Sequence, residues 1–466
     1  MTLAERVAEF TAGLDLSAVP ADVVEKAKVT LLHDLGVGLA GHRLARTGFA
    51  FAKEHGACDA SRGARLPVDG TPVTVESCAL ATGALIHART QDDTQVSVSV
   101  HLGSTTLPAL LALADRADLH GCDLLTAMIA GYEAASAIAE GRAGPSTARG
   151  FRATSIYGPL AAAAASARLL GLDTGQTVSA LGLAAAFGGG TNQTWLAGTQ
   201  EWRYQVGAAS RNGMVAALLA ARGVTGAPDA LDGNAGHLRA FSGIEDAPET
   251  ERLGLRPGLR LGDDWRIRRV TYKPYPICAI NQVPVTVLTG LARRHGIKAD
   301  DVASVTAELS PDDAAYPGID AQGPFRDVGG TLMSLPYCLA VALRGGGIEL
   351  DDLNRFDDPA LMDLTRRITV AAAGDVPQGG CRITVATRDG GTRTGEFAPD
   401  ETTFNWDRDE TAARLRAMAA ETPLSPARLD GFIAIVLDLD RRPVRDLVGA
   451  TIAGPADPAD PADPKE

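Results

Sequence analysis

Aromatic residues are scarce, at 5% of 466 residues. A β-sandwich draws on aromatic and β-branched side chains, so this scarcity, beside abundant Ala and 51 Gly, favours closely packed helices. Runs of Lys and Arg are lacking. With 44 basic against 57 acidic residues the net charge is -13, and no cation cluster is available to neutralise phosphates. A nucleic-acid surface is excluded on that ground. The six cysteines (Cys58, Cys78, Cys122, Cys278, Cys338, Cys381) form no CxxC pair. They suggest neither a zinc site nor a disulfide framework, and reduced thiols in a cytoplasmic protein are the simple reading. Long apolar runs are also lacking, because Gly, Arg or Asp breaks each one, so no membrane span is expected. The first residues, MTLAERVAEFTAGL, carry acids inside their apolar pattern, unlike a signal peptide.

What remains is ordinary for a soluble chain: 45% hydrophobic and 22% charged residues. The length points to two domains. Helical periodicity runs through the first half. Residues 3–14 form a short amphipathic helix, and Val24, Ala27, Leu31, Leu35 and Leu39 draw an apolar stripe. A short hairpin is expected around 69–71, then helix over 75–90. Ser104 or Thr105 is the expected cap of a helix with Pro108 in its first turn. Helices follow over 122–140, 156–170, from the Asp173/Gln176 capping box to Phe187, and over 205–222. Near residue 265 the pattern changes. WRIRRVTYKPYP, then residues 303–310, 366–373 and 381–389, read as strands, with helices over 280–295 and 333–343. Helical character returns in ETAARLRAMAAE and LDGFIAIVLDLD. The fold class is therefore mostly α. An all-α helical domain (1–265 and 405–452) carries an inserted α+β lid domain (266–404), and a Pro/Ala/Asp tail (453–466) should be disordered.

One stretch concentrates chemistry. Residues 84–108, ALIHARTQDDTQVSVSVHLGSTTLP, bring Asp92, Asp93, Thr94 and His101 close to a helix start. Carboxylates and an imidazole there suit proton transfer beside an anion. The plain alternative is a polar loop whose histidine bonds Asp93, with Asp92 facing solvent. The run Phe187–Gln193 is glycine-rich, but no strand precedes it and no GK[ST] follows, so it reads as a helix-ending turn. His33 reads as a packing histidine, and Cys278 as an inert thiol.

An ordered set of motifs resembles the MmgE/PrpD family, which includes 2-methylcitrate dehydratase, cis-aconitate decarboxylase and iminodisuccinate epimerase. They are LLHDLGVGLAG (31–41), QDDTQVSVSVHLGSTTLPALLALAD (91–115), GYEAASAIAEG (131–141), GFRATSIYGPLAAAAASARLLGLD (150–173), VGAASRNGMVAALLAARGVTG (206–226), LRAFSG (238–243), YKPYPIC (272–278) and SLPYCLAVAL (334–343). The resemblance implies a helical domain with an α+β lid and an active site between them. It also implies a homodimer and no metal or organic cofactor. The implied chemistry is proton abstraction beside a carboxylate, then loss of water or carbon dioxide, or reprotonation.

The motifs are kept unevenly. The family's loop reads Asp-Phe-Asp-Asp-Thr, then His-Pro; here Thr90 replaces the leading Asp and Leu102 the Pro, while Asp92, Asp93, Thr94 and His101 stay. The histidine of the decarboxylase branch's Gly-Phe-His is Arg152. An active-site lysine falls near Trp202 and the following histidine near Gln205; Lys273 and Tyr337 are retained, but later Arg and His positions fall near Ala279 and Gln282. Each lost charge-assisted partner costs about 1.5–3 kcal/mol, so tight tricarboxylate binding is not expected. Trp195, Trp202 and Tyr204 point to a bulkier, less charged substrate.

The expected roles follow. His101 and Asp93 form the acid/base pair, with Asp93 as base or as orienting group. Tyr337 is a proton donor or a half-buried core tyrosine. Lys273 holds a carboxylate or bridges the domain junction. Arg152 is an anion ligand or a surface arginine. Thr94 bonds substrate or its own loop. Arg89 is a weaker ligand candidate with surface exposure favoured, and Trp202 shapes the pocket. The expected protein is a cofactor-independent lyase, a dehydratase first, acting on a small carboxylate or carbonyl compound in a specialised pathway. An epimerase or cyclase begun by the same deprotonation is the alternative, and a catalytically inactive scaffold the rival of another class.

Overall fold

The computed structural model describes residues 1–244, 261–454 and 457. The fold is mostly α, with its main sheet in the C-terminal region. The larger core is built on the helices Leu102–Ala117, Gly121–Ala139, Ala153–Leu169 and Glu201–Ala220. Their facing surfaces are small: Ala161 to Ala165 are completely buried. Small side chains let backbones come close, which is how a chain poor in aromatics fills its interior. Helix Val75–Ile86 and helix Glu201–Ala220 approach one another closely. A Cβ on Gly207 would lie 2.2 Å from the Leu80 carbonyl oxygen, and one on Gly83 would lie 2.5 Å from Gly207 Cα. Helix Gly121–Ala139 is long and apolar enough to cross a membrane, yet 89% of it is buried inside the protein, as befits a core helix.

The second core surrounds a four-stranded sheet ordered Ile368–Ala372, Val302–Leu309, Cys381–Thr387, Thr392–Phe397. The first pair is parallel (Val305 opposite Ile368) and the others antiparallel (Ala307 opposite Ile383, Val385 opposite Arg393). Val302 and Val305 both face inward, which a period of two forbids. A register shift between Val302 and Ser304 repairs the phase. Helices Ala279–His295 and Leu335–Gly345 cover the inner face.

The chain changes cores at two adjacent crossings. Trp265, Ile267, Val270 and Tyr272 pack in the first core and Ile277 in the second; on the return, Phe404 packs against the second and Trp406 against the first. The crossings are tied together. Tyr272 N–H donates to Phe404 O at 2.8 Å, and Lys26 Nζ donates to Val270 O and Asn405 Oδ1, both at 2.6 Å. Buried Glu133 accepts the N–H groups of Arg266 and Ile267, each at 3.0 Å. The strand Thr94–Gln95 pairs antiparallel with Val270–Thr271, so the acidic loop is joined to the crossing itself.

Several local expectations are corrected. The helix expected to be capped by Ser104 or Thr105 begins at Leu102, with His101 as its N-cap residue and Pro108 inside it. The Ser104 and Thr105 hydroxyls instead turn back to His101 O, at 3.3 and 3.2 Å. Only Val270–Thr271 of WRIRRVTYKPYP is strand, because Glu133 gathers Arg266–Arg269 into a 3-10 turn. Strand Thr392–Phe397 and helix Pro359–Arg366 were not anticipated; the strand is mostly exposed and lacks an apolar alternation. The tail expected to be disordered lies outside the described residues, apart from Ala453, Gly454 and Asp457.

The close helix crossing makes a paired prediction. Gly207→Ala should destabilise by about 1–3 kcal/mol through overpacking. Gly290→Ala, in helix Ala279–His295 with open space around its Cβ position, should stabilise by about 0.5–1 kcal/mol. Urea unfolding of the two variants reads both signs.

Candidate active site

The loop between helix Val75–Ile86 and helix Leu102–Ala117 carries the site. His87 closes the first helix, its N–H donating to Gly83 O. Both Asp92 carboxylate oxygens lie 2.8 Å from His87 Nδ1. His101 opens the second helix, and its Nδ1 lies 2.7 Å from Asp93 O and 3.9 Å from Asp92 Oδ2. Ligating atoms of His87, Asp92 and His101 lie within 4.8 Å of one another. The three side chains are 1%, 0% and 16% exposed, so His101 is the one that reaches the surface of the cluster.

Partner chemistry fixes both tautomers. A backbone carbonyl can only accept, so His101 carries its proton on Nδ1 and its lone pair on Nε2. A guanidinium can only donate. Arg152 Nη2 lies 2.7 Å from His87 Nε2, so that nitrogen accepts and His87 Nδ1–H donates to Asp92. The result is a directed chain from Arg152 through His87 to Asp92. Arg152 Nη1 also donates to Trp202 O (2.7 Å) and Gln205 Oε1 (3.0 Å), and the guanidinium lies 5.1 Å above the Trp195 ring. Trp202 is fully buried, edge-on to His87 at 5.4 Å. Lys273 Nζ donates to Thr90 O across the crossing. Thr90 holds φ at 53°, a left-handed conformation that a β-branched residue adopts only under constraint.

The charges sort by burial and partner. Burial would raise the Asp92 carboxyl, but His87, His101 and Lys273 together hold it well below the usual carboxylate range. Burial and the Asp92 charge push Asp93 up to about 7, against the pull of Gly103 N–H (2.9 Å) and Tyr132 O–H (2.8 Å). Asp34 is driven well above its usual range by burial, Asp93 and Asp92. Burial lowers His87 to about 4 despite Asp92. His101 is held well below 6.5 by burial and then by Lys273. Lys273 itself is lowered by burial, against the pull of Asp92, and burial brings Arg152 down to about 10. At neutral pH this is a neutral imidazole pair beside one fixed carboxylate and two cations. The His87–Asp92–His101 spacing would suit a metal ion, but His87 is engaged at both nitrogens and two cations adjoin the cluster.

The structure therefore brings His101, Lys273, Arg152, Trp202 and Thr94 together; Thr94 Oγ1 is 3.5 Å from His101 Nδ1. It corrects the expectations for Asp92 and Arg89 and separates the alternatives left open for Asp93 and Tyr337. Asp92, expected to face solvent, is fully buried and is the ionised member of the pair. Asp93 turns both carboxyl oxygens inward to Gly103 and Tyr132, so it meets His101 through its backbone carbonyl. Arg89, for which surface exposure was favoured, is buried; it bonds Ala40 O, Gln91 and Glu421 instead of joining this group. Tyr337 stands in the second core against Phe325, its hydroxyl donating to Asp352 O at 2.7 Å. Arg152 is buried, not a surface arginine, and His33 donates to Gln91 O at 2.8 Å as a packing histidine would. His87, Asp34 and Tyr132 were not singled out from the sequence. His87 had one local signal, a histidine at a helix end five residues before Asp92.

Two substitutions separate these roles. Tyr337→Phe should cost about 1 kcal/mol of stability and leave proton-transfer chemistry unchanged. His87→Ala should lower turnover at least about tenfold, because Asp92 and Arg152 then lose their shared partner. Steady-state kinetics beside urea unfolding checks both.

Residues 5–250 match the MmgE/PrpD N-terminal domain and residues 275–418 the MmgE/PrpD C-terminal domain. Cis-aconitate decarboxylase of Aspergillus terreus (strain NIH 2624 / FGSC A1156) is 26% identical over 483 aligned residues, which cover 96% of each chain. The cis-aconitate decarboxylase-like protein oryM of Aspergillus oryzae (strain ATCC 42149 / RIB 40) is 27% identical over 403, covering 81% of this chain and 82% of its own. Cis-aconitate decarboxylase of Homo sapiens is 28% identical over 242, covering 50% and 49%. With both domain matches in chain order, and a buried loop of the expected residues between two core helices, the chain belongs to the MmgE/PrpD family.

Proposed function

We propose that the chain is a lyase that abstracts a proton beside a carboxylate or carbonyl group, first a dehydratase, working without a cofactor as a cytoplasmic homodimer. The observation that carries the proposal is the orientation of His101. Its Nδ1–H is fixed on Asp93 O, which leaves the Nε2 lone pair as the base. In the proposed step the substrate C–H bond breaks, Nε2 takes the proton, and the electron pair enters an enolate held by Lys273 and the remaining Arg152 N–H groups. The pair then expels hydroxide, which leaves as water with the proton carried by His101. Substrate binding would itself strengthen the base. Lys273 is the second largest influence lowering His101, and a bound carboxylate would offset that charge.

A substrate bulkier and less charged than methylcitrate is supported by the engagement of neighbouring polar groups. Gln205 Oε1 accepts from Arg152 and Ser155, and the Gln282 amide is bonded to the Tyr275 and Ile277 backbone. Two cations, Lys273 and Arg152, adjoin the His–Asp cluster, beside Trp195 and Trp202. Decarboxylation is the second reading, favoured by the names of the relatives. There the carboxylate leaves as carbon dioxide, and the carbanion takes a proton from His101 Nε2, which solvent protonates once bound carboxylate offsets the Lys273 charge.

The test is exchange of substrate α-hydrogen in deuterated water across a panel of mono-, di- and tricarboxylates, with product analysis for water or carbon dioxide loss. His101→Ala should slow exchange about 10²–10⁴-fold, and Lys273→Ala about 10–100-fold in kcat/KM. Exchange that survives both substitutions contradicts the proposal, and binding without exchange or turnover favours a scaffold. The pH dependence has a defined sign. The base works when neutral, and its lowered pKa keeps it so below the ordinary 6.5, so the acid limb of kcat/KM should lie under 6.5. The cation works when protonated, and its lowered pKa should bring the alkaline limb below 10.5.

A further inference from the structure

Asp34 is completely buried on helix Ala21–Ala40, directly behind the acidic loop. Its Oδ1 accepts the Asp93 backbone N–H at 2.8 Å. Its Oδ2 is a buried oxygen with no hydrogen-bond partner among the described residues. That oxygen lies 1.7 Å from the position a Cβ on Gly103 would take, and Asp93 Oδ1 lies 3.1 Å from the same point. The two carboxyl oxygens therefore crowd one spot, which Gly103 alone leaves open. Asp93 Oδ1 also receives Gly103 N–H, and its Oδ2 receives the Tyr132 hydroxyl.

The surrounding charges do not pair with Asp34. Lys26, on the same helix, directs its ammonium to Val270 O and Asn405 Oδ1. Lys273 directs its own to Thr90 O. Tyr272 is held as a neutral phenol against Thr30, and His33 is neutral and bonded to Gln91 O. Asp92 adds a negative charge nearby. Two adjacent carboxylates cannot both ionise in such surroundings.

We infer that Asp34 and Asp93 form a carboxyl dyad sharing one proton, Asp34 Oδ2–H to Asp93 Oδ1, and that Asp34 is thereby the positioning residue for His101. Asp34 grips the Asp93 residue twice, at its N–H and at its side chain. The carbonyl of that same residue receives His101 Nδ1–H and keeps the lone pair on Nε2. Asp34 acts through Asp93 and touches no substrate. The functional meaning rests on His101 being the base, whereas the dyad itself does not. Burial raises both carboxyls, with the charges of Asp93 and Asp92 adding to it at Asp34 and that of Asp92 at Asp93, which agrees with one retained proton.

The test needs no substrate. Whole protein labelled with ¹³C-aspartate and ¹⁵N-histidine is followed by NMR as wild type, Asp34→Asn and Asp34→Val, with His101→Gln assigning the ring. In the wild type one carboxyl of the pair should still hold a proton at about pH 6, and His101 should show the Nδ1–H tautomer. Asp34→Asn, whose amide mimics the protonated acid, should keep that tautomer and let Asp93 ionise at lower pH. Asp34→Val should lose the fixed tautomer. Both carboxyls ionised at about pH 6, or a tautomer untouched by Asp34→Val, overturns the inference. If Asp34→Val does not fold, the wild-type carboxyl signals and Asp34→Asn still decide it. A locked tautomer in a wild type that exchanges no substrate hydrogen would instead refute the catalytic reading.

Discussion

Three carboxyl groups, Asp34, Asp92 and Asp93, are buried together, and the site depends on how their charges are reconciled. Asp92 stays ionised because His87 donates to it and Lys273 attracts it. Asp93 and Asp34 are pushed upward and held by backbone N–H groups and a tyrosine hydroxyl. Uncompensated burial of even one carboxylate is strongly unfavourable. The partners are therefore structural necessities before any catalytic role proposed for them.

The site and the joint between the two cores are built from the same residues. Thr94–Gln95 pairs with Val270–Thr271, and Lys273 follows within two residues of that strand. Its bond to Thr90 O reaches back to the acidic loop at a point of backbone strain. A shift of the sheet-bearing core relative to the helices would move Lys273 against His101. The proposed substrate cation, Lys273, and the proposed base, His101, are thus positioned by one short ladder.

Much of this was legible in the sequence because it is local. Helix periodicity, the Asp173–Gln176 capping box, the Asp92–His101 loop and Lys273 in YKPYP are short-range patterns, and family motifs in order gave them meaning. What was missed or misassigned depends on distant partners. Arg89 looked like a surface arginine until Glu421, 332 residues away, met it. Arg152 gains its meaning from His87, 65 residues earlier. Neighbouring Asp92 and Asp93 look alike in one dimension; His87 and His101 hold Asp92 low, whereas burial and the Asp92 charge raise Asp93 against the hydrogen bonds from Tyr132 and Gly103. Tyr337 lies in a recognised motif, but the second core claims its hydroxyl.

The central claim is that His101 Nε2 and Lys273 Nζ face one substrate carbon and its carboxylate. A crystal structure with bound malonate, which carries a methylene between two carboxylates, tests it most directly. That structure should show a carboxylate oxygen about 2.7–2.9 Å from Lys273 Nζ and the methylene carbon about 3–3.5 Å from His101 Nε2. Malonate bound in the cleft with its methylene turned away from His101, or held by cations other than Lys273 and Arg152, would contradict it.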